Sequence, residues 1–299
     1  MNQVSFVTTC KGRLQHIRQT LPLIVAQAPG EVIVVDYGCP QRVGDWVETN
    51  FKSVKVIRVQ DDPGFCAARA RNIGAQHASS PWLCLIDADV MISPGFVGWM
   101  RENLHPLCFY RHEKVNGERD PETWGTCICL RQAFSQVNGF DEVFRGWGGE
   151  DDDFFDRLRL SGYAEGSYPV QFVKAITHDD QERFTFQTIK SKNLQHIINR
   201  LYRIAKQQVM AFYQIKTELR AEIRKDLYTQ IRSAATNWDG DRSKPLPNIA
   251  VSIESREWLP APYNAVKRCS FTIEVIENSG PSQSRTNGIA KTSPNMEFS

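Results

Sequence analysis

The chain has 299 residues, of which 41% are hydrophobic and 23% are charged, a composition typical of soluble globular proteins with one or two domains. Its 36 lysines and arginines against 34 acidic residues give a net charge of +2, far below the basic excess of a dedicated nucleic-acid-binding protein. No apolar run approaches the roughly 18 residues of a membrane-spanning helix, and no secretory signal is visible. The 8 cysteines include no CxxC pair, which favours reduced thiols and a cytoplasmic location.

The first half of the chain alternates strand-like and helix-like segments. Apolar runs rich in β-branched residues predict strands over 4–8, 31–35, 54–59 and 82–86. Helical spacing of apolar residues begins near Leu14, and a second helix is predicted over 67–78. Strands that alternate with helices in this way predict an α/β domain with a mostly parallel central sheet flanked by helices.

The second half differs in pattern and charge. Residues 186–232 show a helical pattern without glycine or proline, with ten basic against three acidic residues. A strand is predicted over 271–276. We therefore predict four units: an α/β domain over 1–185, a basic helical extension packing on it over 186–240, a linker with a strand-like segment over 241–277, and a disordered tail over 278–299.

Two aspartates one residue apart, Asp87 and Asp89, follow the fourth predicted strand. They are expected at the carboxyl end of the sheet, where open α/β sheets bind their ligands. Carboxylates at this place suit a divalent cation that neutralises a diphosphate, although a polar strand end with helix-capping aspartates produces the same pattern. The same spacing at Asp239 and Asp241 has no strand before it and indicates only a loop.

A glycine-tryptophan segment at 146–149 runs directly into four consecutive acids, Glu150–Asp153. Because neighbouring carboxylates repel one another, the block predicts either the first turn of a helix, where the helix dipole favours negative charge, or a functional site. In the second case the loop closes over a ligand, and a carboxylate whose proton affinity is raised by charge crowding acts as a general base.

These motifs occur in the order found in the GT-A-fold inverting glycosyltransferases. The chain resembles both the large bacterial family 2 and the β-1,4-galactosyltransferase group from about residue 3 to residue 185. The resemblance is carried by Phe-Val-Thr-Thr at 6–9, Val-Val-Asp at 34–36, the segment at 65–74, Asp87-Ala-Asp89, Asn-Gly-Phe-Asp-Glu at 138–142 and Trp-Gly-Gly-Glu-Asp-Asp-Asp at 147–153.

The resemblance implies a role for each matching residue. Asp151 is implied as the catalytic base that deprotonates the acceptor hydroxyl, and Asp152 and Trp147 as acceptor-binding residues. Asp89 and His178 are implied as ligands of Mn²⁺ (or Mg²⁺). The donor sugar and its nucleotide are implied to contact Thr8, Arg13, Asp36, Arg69, Arg71, Asp87 and Glu150.

The implied reaction is metal-dependent transfer from a UDP-sugar, with galactose or N-acetylgalactosamine favoured, to a hydroxyl of a saccharide or lipid-linked acceptor. Such a transfer inverts the anomeric centre and forms a β-linkage, as in polysaccharide biosynthesis. Two alternatives stay open: a carbohydrate- or nucleotide-binding module without turnover, and a sugar-1-phosphate nucleotidyltransferase. The second alternative would need a glycine-rich basic loop after the first strand, where residues 8–13 contain one glycine.

The basic helical region, residues 186–232, allows two interpretations. It is either a helical cap on the α/β domain or a surface that meets anionic lipid or an acidic polysaccharide acceptor. Contact with anionic lipid would place the protein peripherally at the inner face of the membrane.

Overall fold

The computed structural model describes residues 3–177, 184–238, 240–241 and 243–277. The strands within these residues are β1 Val4–Cys10, β2 Glu31–Asp36, β3 Lys55–Arg58, β4 Trp82–Asp87, β5 Val90–Ile92, β6 Cys108–His112, β7 Cys127–Leu130, β8 Ala164–Tyr168, β9 Val173–Ala175, β10 Asn248–Trp258 and β11 Asn264–Glu274. The helices are α1 Leu14–Val25, α2 Val43–Asn50, α3 Ala67–Gln76, α4 Phe96–Asn103, α5 Arg131–Gln136, α6 Glu150–Leu160, α7 Lys192–Tyr213 and α8 Ala221–Trp238.

Seven strands form the central sheet in the order β3-β2-β1-β4-β7-β6-β8. The first four of these run parallel, β7 runs antiparallel to both of its neighbours, and β6 and β8 are parallel to each other. Strand β1 is buried along its whole length, as expected for a central strand covered on both faces. The predicted α/β fold with a mostly parallel sheet is therefore confirmed.

Helices cover both faces of this sheet. One hydrophobic cluster packs α1, α2 and α4 against one face, and a second packs α3, α5 and α6 against the other. Helix α3 approaches β1 closely at Gly74, where a Cβ atom would lie 2.3 Å from Cγ1 of Val7. This close approach places the first turns of α3 beside the carboxyl ends of β1 and β4.

The region predicted to be helical, residues 186–232, contains two helices, α7 and α8, rather than one. Gln214 caps α7 in the left-handed conformation, with φ of 55°. Its neighbour Ile215 donates a backbone hydrogen bond to Met210, as at helix ends of this type. The sequence pattern did not predict this break, because the left-handed residue at a helix end is usually glycine and here it is Gln214.

The prediction of a linker with one strand over 241–277 is corrected. Strands β10 and β11 form an antiparallel hairpin, paired from Asn248 with Glu274 to Trp258 with Asn264. Alternate residues of β10, including Ile249 and Val251, belong to a third hydrophobic cluster with α7 and α8. This alternation is the two-residue period of a strand, which the sequence analysis did not recognise. The predicted tail over 278–299 lies outside the described residues.

The third hydrophobic cluster connects the helical extension to the α/β part of the molecule. Phe144, from the loop after α5, packs in it beside Tyr202 of α7, with ring centroids 4.9 Å apart. All 8 cysteines are free thiols, as predicted. Among the described helices, none is both long enough and apolar enough to cross a bilayer.

Candidate active site

A single buried arginine lies at the centre of the site. Arg71 extends from α3, and its Nη2 donates a hydrogen bond to Oδ1 of Asp87 at 2.8 Å. Its Nη1 donates to Oδ1 of Asp151 at 3.0 Å and lies 3.3 Å from Oε1 of Glu150. The side chain of Arg71 is only 6% exposed. The strand end at Asp87 and the start of α6 are therefore held together by one cation.

Burial and charge act in opposite directions on this cluster. Burial raises the pKa of Asp151 to about 8, because the attraction of Arg71 is offset by the neighbouring charges of Glu150, Asp87 and Asp152. Burial also raises the pKa of Glu150. On Arg71, burial opposes the charge, but the three carboxylates outweigh it and raise its pKa. Asp151 thus has the raised proton affinity required of a general base near neutral pH.

Gly125 packs against the two aspartates and comes opposite Asp87 when the antiparallel register of β4 and β7 is continued. A Cβ atom there would lie 3.1 Å from Oδ2 of Asp87, 3.1 Å from Oδ2 of Asp151 and 2.9 Å from Nη2 of Arg71. Neither Oδ2 atom accepts a hydrogen bond from a described residue. The backbone at Gly125 therefore packs so closely against Arg71 and the two carboxylates that a larger residue would force these side chains to move.

The four consecutive acids form the first turn of α6, so each side chain points in a different direction. Glu150 and Asp151 face Arg71. Asp152 accepts a hydrogen bond from Nε1 of Trp124 at 3.0 Å, and Asp153 turns inward to a buried ion network. The block therefore begins a helix, as one of the two interpretations predicted, and its role as a functional site stays a prediction.

Asp89 also lies at this edge and forms an ion pair with Arg13 at the start of α1. Two residues predicted for different tasks, metal binding and donor binding, thus contact each other. The backbone carbonyl of Asp89 accepts a hydrogen bond from Ile176 at 2.7 Å, which brings the chain after β9 to the strand end. His178, the second implied metal ligand, lies outside the described residues.

Asp36 and Thr8 are buried residues of β2 and β1. Both carboxylate oxygens of Asp36 accept backbone hydrogen bonds, from Cys39 at 2.8 Å and Gly44 at 2.9 Å. Thr8 is buried within β1, and its hydroxyl has no hydrogen-bond partner among the described residues. Their implied contacts with the nucleotide remain predictions.

Arg69 and Arg71, which the resemblance left as equivalent candidates, point in different directions. Arg69 forms an ion pair with the exposed Asp61 at 2.7 Å and contacts the hydroxyl of Tyr37 at 3.2 Å. Arg71 alone of the two reaches Asp87 and Asp151. Residues two positions apart on a helix differ by about 200° in direction, so only one of them faces the carboxylates.

The glycine-tryptophan loop is held by α7. Nδ2 of Asn199 donates to the carbonyl oxygens of Arg145 at 3.0 Å and Gly148 at 2.7 Å, with a longer contact of 3.3 Å to that of Trp147. The amide of Trp147 donates to Oε1 of Gln195 at 2.5 Å. Sequence reasoning missed this role, because asparagine and glutamine within a basic helix carry no distinctive signal.

A second acidic cluster, Asp141, Asp153 and Glu218, has the spacing of a metal site. Its centre is filled by the ammonium group of Lys206, which lies 2.9 Å from Asp141, 2.9 Å from Asp153 and 2.8 Å from Glu218. Arg157 also binds Asp153 at 2.8 Å. The cluster is therefore a buried ion network that joins α6 to the helical extension, and the Lys206 ammonium occupies the position that a metal ion would need.

Trp124 is a further residue that the sequence analysis did not select. Its indole donates the hydrogen bond to Asp152, and its ring packs against the guanidinium of Arg111, whose Cζ lies 4.2 Å from the ring centroid. A tryptophan–glycine pair just before a buried strand, Trp124-Gly125, is the signal that could have identified it.

Comparison with known proteins identifies the same two groups. Residues 5–149 match the model of glycosyl transferase family 2, and residues 105–196 match the N-terminal domain model of galactosyltransferase. The chain is 28% identical over 239 residues to validoxylamine A glucosyltransferase of Streptomyces hygroscopicus subsp. jinggangensis, covering 59% of this chain and 57% of that protein. It is 30% identical over 176 residues to β-1,4-galactosyltransferase 1 of Mus musculus, covering 54% and 38%. The chain thus spans less than two thirds of either relative.

Solved structures show the same fold. TarS of S. aureus, in complex with UDP-GlcNAc, superimposes with a TM-score of 0.54 at 15% identity, covering 79% of this chain and 72% of that one. The mannosyltransferase PcManGT of Pyrobaculum calidifontis, in complex with GDP-Man and Mn²⁺, gives a TM-score of 0.50 at 17% identity, covering 79% and 75%. The chain therefore has the GT-A fold and is similar to glycosyl transferase family 2 over residues 5–149 and to the galactosyltransferases over residues 105–196.

Proposed function

We propose that this protein is an inverting glycosyltransferase that moves a sugar from a UDP-sugar to a hydroxyl of a saccharide or lipid-linked acceptor. The observation that carries the proposal is the pairing of Asp151 with Arg71, which also binds Asp87 at the end of β4. Asp151 combines a raised pKa with a side chain that stays 14% exposed, and it is Oδ1 that binds Arg71. A carboxylate in this condition can take a proton from a substrate hydroxyl.

The reaction is a single displacement. As the acceptor oxygen attacks the anomeric carbon, its proton passes to Oδ2 of Asp151, and the bond from the anomeric carbon to the diphosphate breaks with its electron pair. Attack from the face opposite the leaving group inverts the anomeric centre, so a UDP-α-sugar gives a β-linkage. Arg71 holds Asp151 beside Asp87, which is proposed to lie on the donor side of the site. This arrangement fixes the direction of attack.

The residues at the end of β4 fit a divalent cation. Asp87 is 35% exposed, and the carboxylate of Asp89 lies at the same edge, so the donor set is the oxygen-rich one that Mn²⁺ and Mg²⁺ prefer. A cation bound there would stabilise the negative charge that develops on the departing diphosphate. His178 is proposed as a further ligand from the family resemblance.

The proposal is tested by measuring binding and hydrolysis of a panel of UDP-sugars, with galactose and N-acetylgalactosamine donors among them, with and without Mn²⁺. We expect a Mn²⁺-dependent signal with one donor. Asp89→Ala should lose the metal-dependent binding, whereas Asp151→Asn should keep donor binding and lose transfer. Asp241→Ala is the matched control, because Asp241 lies exposed in a loop and its side chain, within the described part of the chain, contacts its near neighbours Ser243 and Lys244.

The outcomes separate the alternatives. Donor binding without turnover, retained in Asp151→Asn, would indicate a binding module. Release of pyrophosphate from a nucleoside triphosphate and a sugar 1-phosphate would indicate a nucleotidyltransferase. Failure to bind any UDP-sugar would contradict the uridine assignment.

A further inference from the structure

Both oxygens of the Asp152 carboxylate have partners. Oδ1 accepts the hydrogen bond from Nε1 of Trp124 at 3.0 Å, and Oδ2 lies 3.4 Å from Nη2 of Arg200. The indole contact is the shorter one and comes from a rigid ring, whereas the side chain of Arg200 is long and 42% exposed. The direction of the Asp152 carboxylate therefore depends mainly on Trp124.

The indole of Trp124 is in turn held by a buried arginine of β6. Cζ of Arg111 lies 4.2 Å from the ring centroid of Trp124 and 4.2 Å from that of Phe155, so the guanidinium contacts both rings. Nη2 of Arg111 also lies 3.4 Å from the backbone oxygen of Trp124. One planar cation thus contacts the ring and the backbone of Trp124.

Phe155 brings this series of contacts back to the helix that carries Asp152. The two residues are three positions apart on α6, the spacing of neighbours on a helix surface. Phe155 is 1% exposed, and its ring stacks on that of Phe109 in β6, with centroids 5.8 Å apart. The contacts therefore run from Asp152 through Trp124 and Arg111 to Phe155, and both ends of the series are fixed on α6.

The charge of Arg111 is costly where it lies. Its side chain is 2% exposed, and burial lowers its pKa. Among the described residues, the one acid within 4 Å of the guanidinium is Glu165, whose Oε1 lies 3.6 Å from Nη1 of Arg111 and 2.7 Å from Nη2 of Arg119. An apolar side chain would fill this space without burying a charge. A planar guanidinium, however, contacts two rings and a backbone oxygen at the same time.

The residue after Trp124 packs against the proposed base. A Cβ atom at Gly125 would lie 3.1 Å from Oδ2 of Asp151, and Asp151 directly precedes Asp152 on α6. The pair Trp124-Gly125 therefore contacts two neighbouring carboxylates, one proposed to take the proton and one implied to bind the acceptor.

We propose that Trp124 is a positioning residue for the acceptor: its indole sets the direction of the Asp152 carboxylate, and Arg111 keeps the indole in place. This inference rests on the proposed function, because it takes Asp152 as an acceptor-binding residue. A saccharide hydroxyl that donates to Asp152 is oriented only while the carboxylate points toward it. Loss of the indole N–H should therefore weaken acceptor binding and leave the donor side unchanged.

The first test is the kinetics of Trp124→Phe and Arg111→Met. Transfer from the UDP-sugar that the hydrolysis panel selects to an array of neutral, uronate-bearing and phosphorylated glycans identifies the best-labelled glycan, which then serves as the acceptor in solution. Trp124→Phe keeps a ring against Arg111 but removes the N–H, so KM for this glycan should rise about tenfold, the size of one lost hydrogen bond to a charged group. Arg111→Met should change KM in the same direction. Neither variant should change kcat or donor hydrolysis by more than about twofold.

Trp46→Phe is the matched control. Trp46 of α2 is partly buried like Trp124, and it also has an arginine over its ring, with Cζ of Arg18 5.7 Å from the centroid. It packs in the hydrophobic cluster on the opposite face of the sheet. The same substitution at this position should change neither KM nor kcat.

A double-mutant cycle distinguishes positioning of Asp152 from direct contact with the acceptor. Affinity for the same glycan would be measured by calorimetry with UDP and Mn²⁺ present. In the Asp152→Asn background, Trp124→Phe should lower this affinity by less than about threefold, because its effect passes through the carboxylate that is already altered. Equal effects in both backgrounds would mean that Trp124 acts independently of Asp152, which would overturn the inference.

Other results would also overturn it. An unchanged KM in Trp124→Phe is one. A second is a variant that loses kcat, donor hydrolysis and its urea midpoint together while KM stays the same, since Trp124 would then serve the fold alone. Donor hydrolysis without labelling of any glycan is a third, because the site would then deliver the sugar to water. Absence of hydrolysis with every UDP-sugar would instead contradict the proposed function itself.

Discussion

Arg71 on α3 and Asp151 on α6 are 80 positions apart in the chain, yet Nη1 of the arginine lies 3.0 Å from Oδ1 of the aspartate. The other nitrogen of the same guanidinium binds Asp87 at the end of β4. One buried side chain thus connects the base proposed for the acceptor with the strand end proposed for the metal. Its removal is expected to affect both stability and catalysis.

Arg71→Met should lower the free energy of unfolding by about 3–5 kcal/mol, because it leaves Asp87, Glu150 and Asp151 without their buried cation. Urea denaturation at pH 7.5 would measure the change. Arg69→Met is the control, since its partner Asp61 is 68% exposed and an exposed pair contributes about 1 kcal/mol or less. Equal costs for the two variants would show that Arg71 does not hold the carboxylates together.

Asp151→Asn should remove transfer and at the same time stabilise the fold as pH rises. Burial raises the pKa of Asp151 to about 8, above the value of about 3.9 in an unfolded chain. The folded state therefore binds this proton more tightly, and the resulting stability is lost as pH rises from about 4 to about 8. Asparagine does not ionise and escapes that loss.

The measurement is the free energy of unfolding of both proteins between pH 5 and pH 9. The difference should move in favour of Asp151→Asn by roughly 4 kcal/mol over this range, because about three pH units separate pH 5 from the folded pKa and each contributes about 1.4 kcal/mol. Asp241→Asn serves as a control, because the pKa of Asp241 is lowered by its hydrogen bonds to Ser243 and its ionisation is complete before pH 5. A difference that stays constant with pH would contradict the raised pKa of Asp151.

The same proton predicts the pH dependence of the reaction. The base must be ionised to accept the acceptor proton, so kcat/KM should rise with pH and level off above about 8, the pKa of Asp151. The profile would be measured at constant free Mn²⁺ with acceptor well below its KM. A flat profile from pH 6 to pH 9 would exclude Asp151 as the base with this pKa.

Gly125→Ala should abolish transfer by disturbing the arrangement of Arg71, Asp87 and Asp151. The new methyl group would lie 3.1 Å from both Oδ2 atoms and 2.9 Å from Nη2 of Arg71, which is too close, so these side chains would have to shift. Steady-state rates and donor affinity would show a loss of kcat of about 100-fold or more, a size seen when a substrate is misplaced by about 1 Å. Circular dichroism would establish that the variant is folded.

Gly98→Ala is the matched control for this substitution. Gly98 is exposed in α4, and no atom lies within 4 Å of its added Cβ. Alanine in a helix interior is more stable than glycine by about 1 kcal/mol, so this variant should be as active as the parent and slightly more stable. Full activity of Gly125→Ala would show that the reaction does not depend on the close packing of Gly125 against Arg71 and the two aspartates.

The sequence predicted the parts of the molecule that follow from short-range patterns. The uninterrupted apolar run of β2 and the acids directly after β4 indicated a buried parallel sheet and the edge at which ligands bind. The sequence could not show which of Arg69 and Arg71 faces the carboxylates, because this depends on how α3 is rotated against the sheet. That rotation is set by close packing of Gly74 against Val7.

Long-range pairings account for most of what was missed. Asp153 belongs to the acidic block in sequence, yet its partner Lys206 lies 53 residues away on α7, and no local pattern connects them. Asn199 contacts Gly148 from a distance of 51 residues in the same way. Both contacts depend on how the helical extension packs against α6 and the loop before it. The order of the motifs within residues 3–185 says nothing about that packing.

Lys206→Met tests how far that packing stabilises the protein. The ammonium group is fully buried and binds Asp141, Asp153 and Glu218, while Arg157 and Arg224 supply the remaining positive charge. Methionine has a similar volume and no charge, so the variant would bury three carboxylates against two cations. The expected loss is about 3–5 kcal/mol, the usual cost of an unpaired buried charge.

Urea denaturation of Lys206→Met and of the control Lys225→Met would separate the effect of burial from the effect of losing one positive charge. Lys225 on α8 is exposed, so its replacement should lower the free energy of unfolding by less than about 0.5 kcal/mol. Because Asp153 directly follows Asp152 in α6, the Lys206 variant should also lose activity at temperatures where it remains folded. Retained stability would mean that one carboxyl of the cluster has taken up a proton. In that case the stability of the variant would fall steeply above neutral pH, as that proton is lost from a buried site.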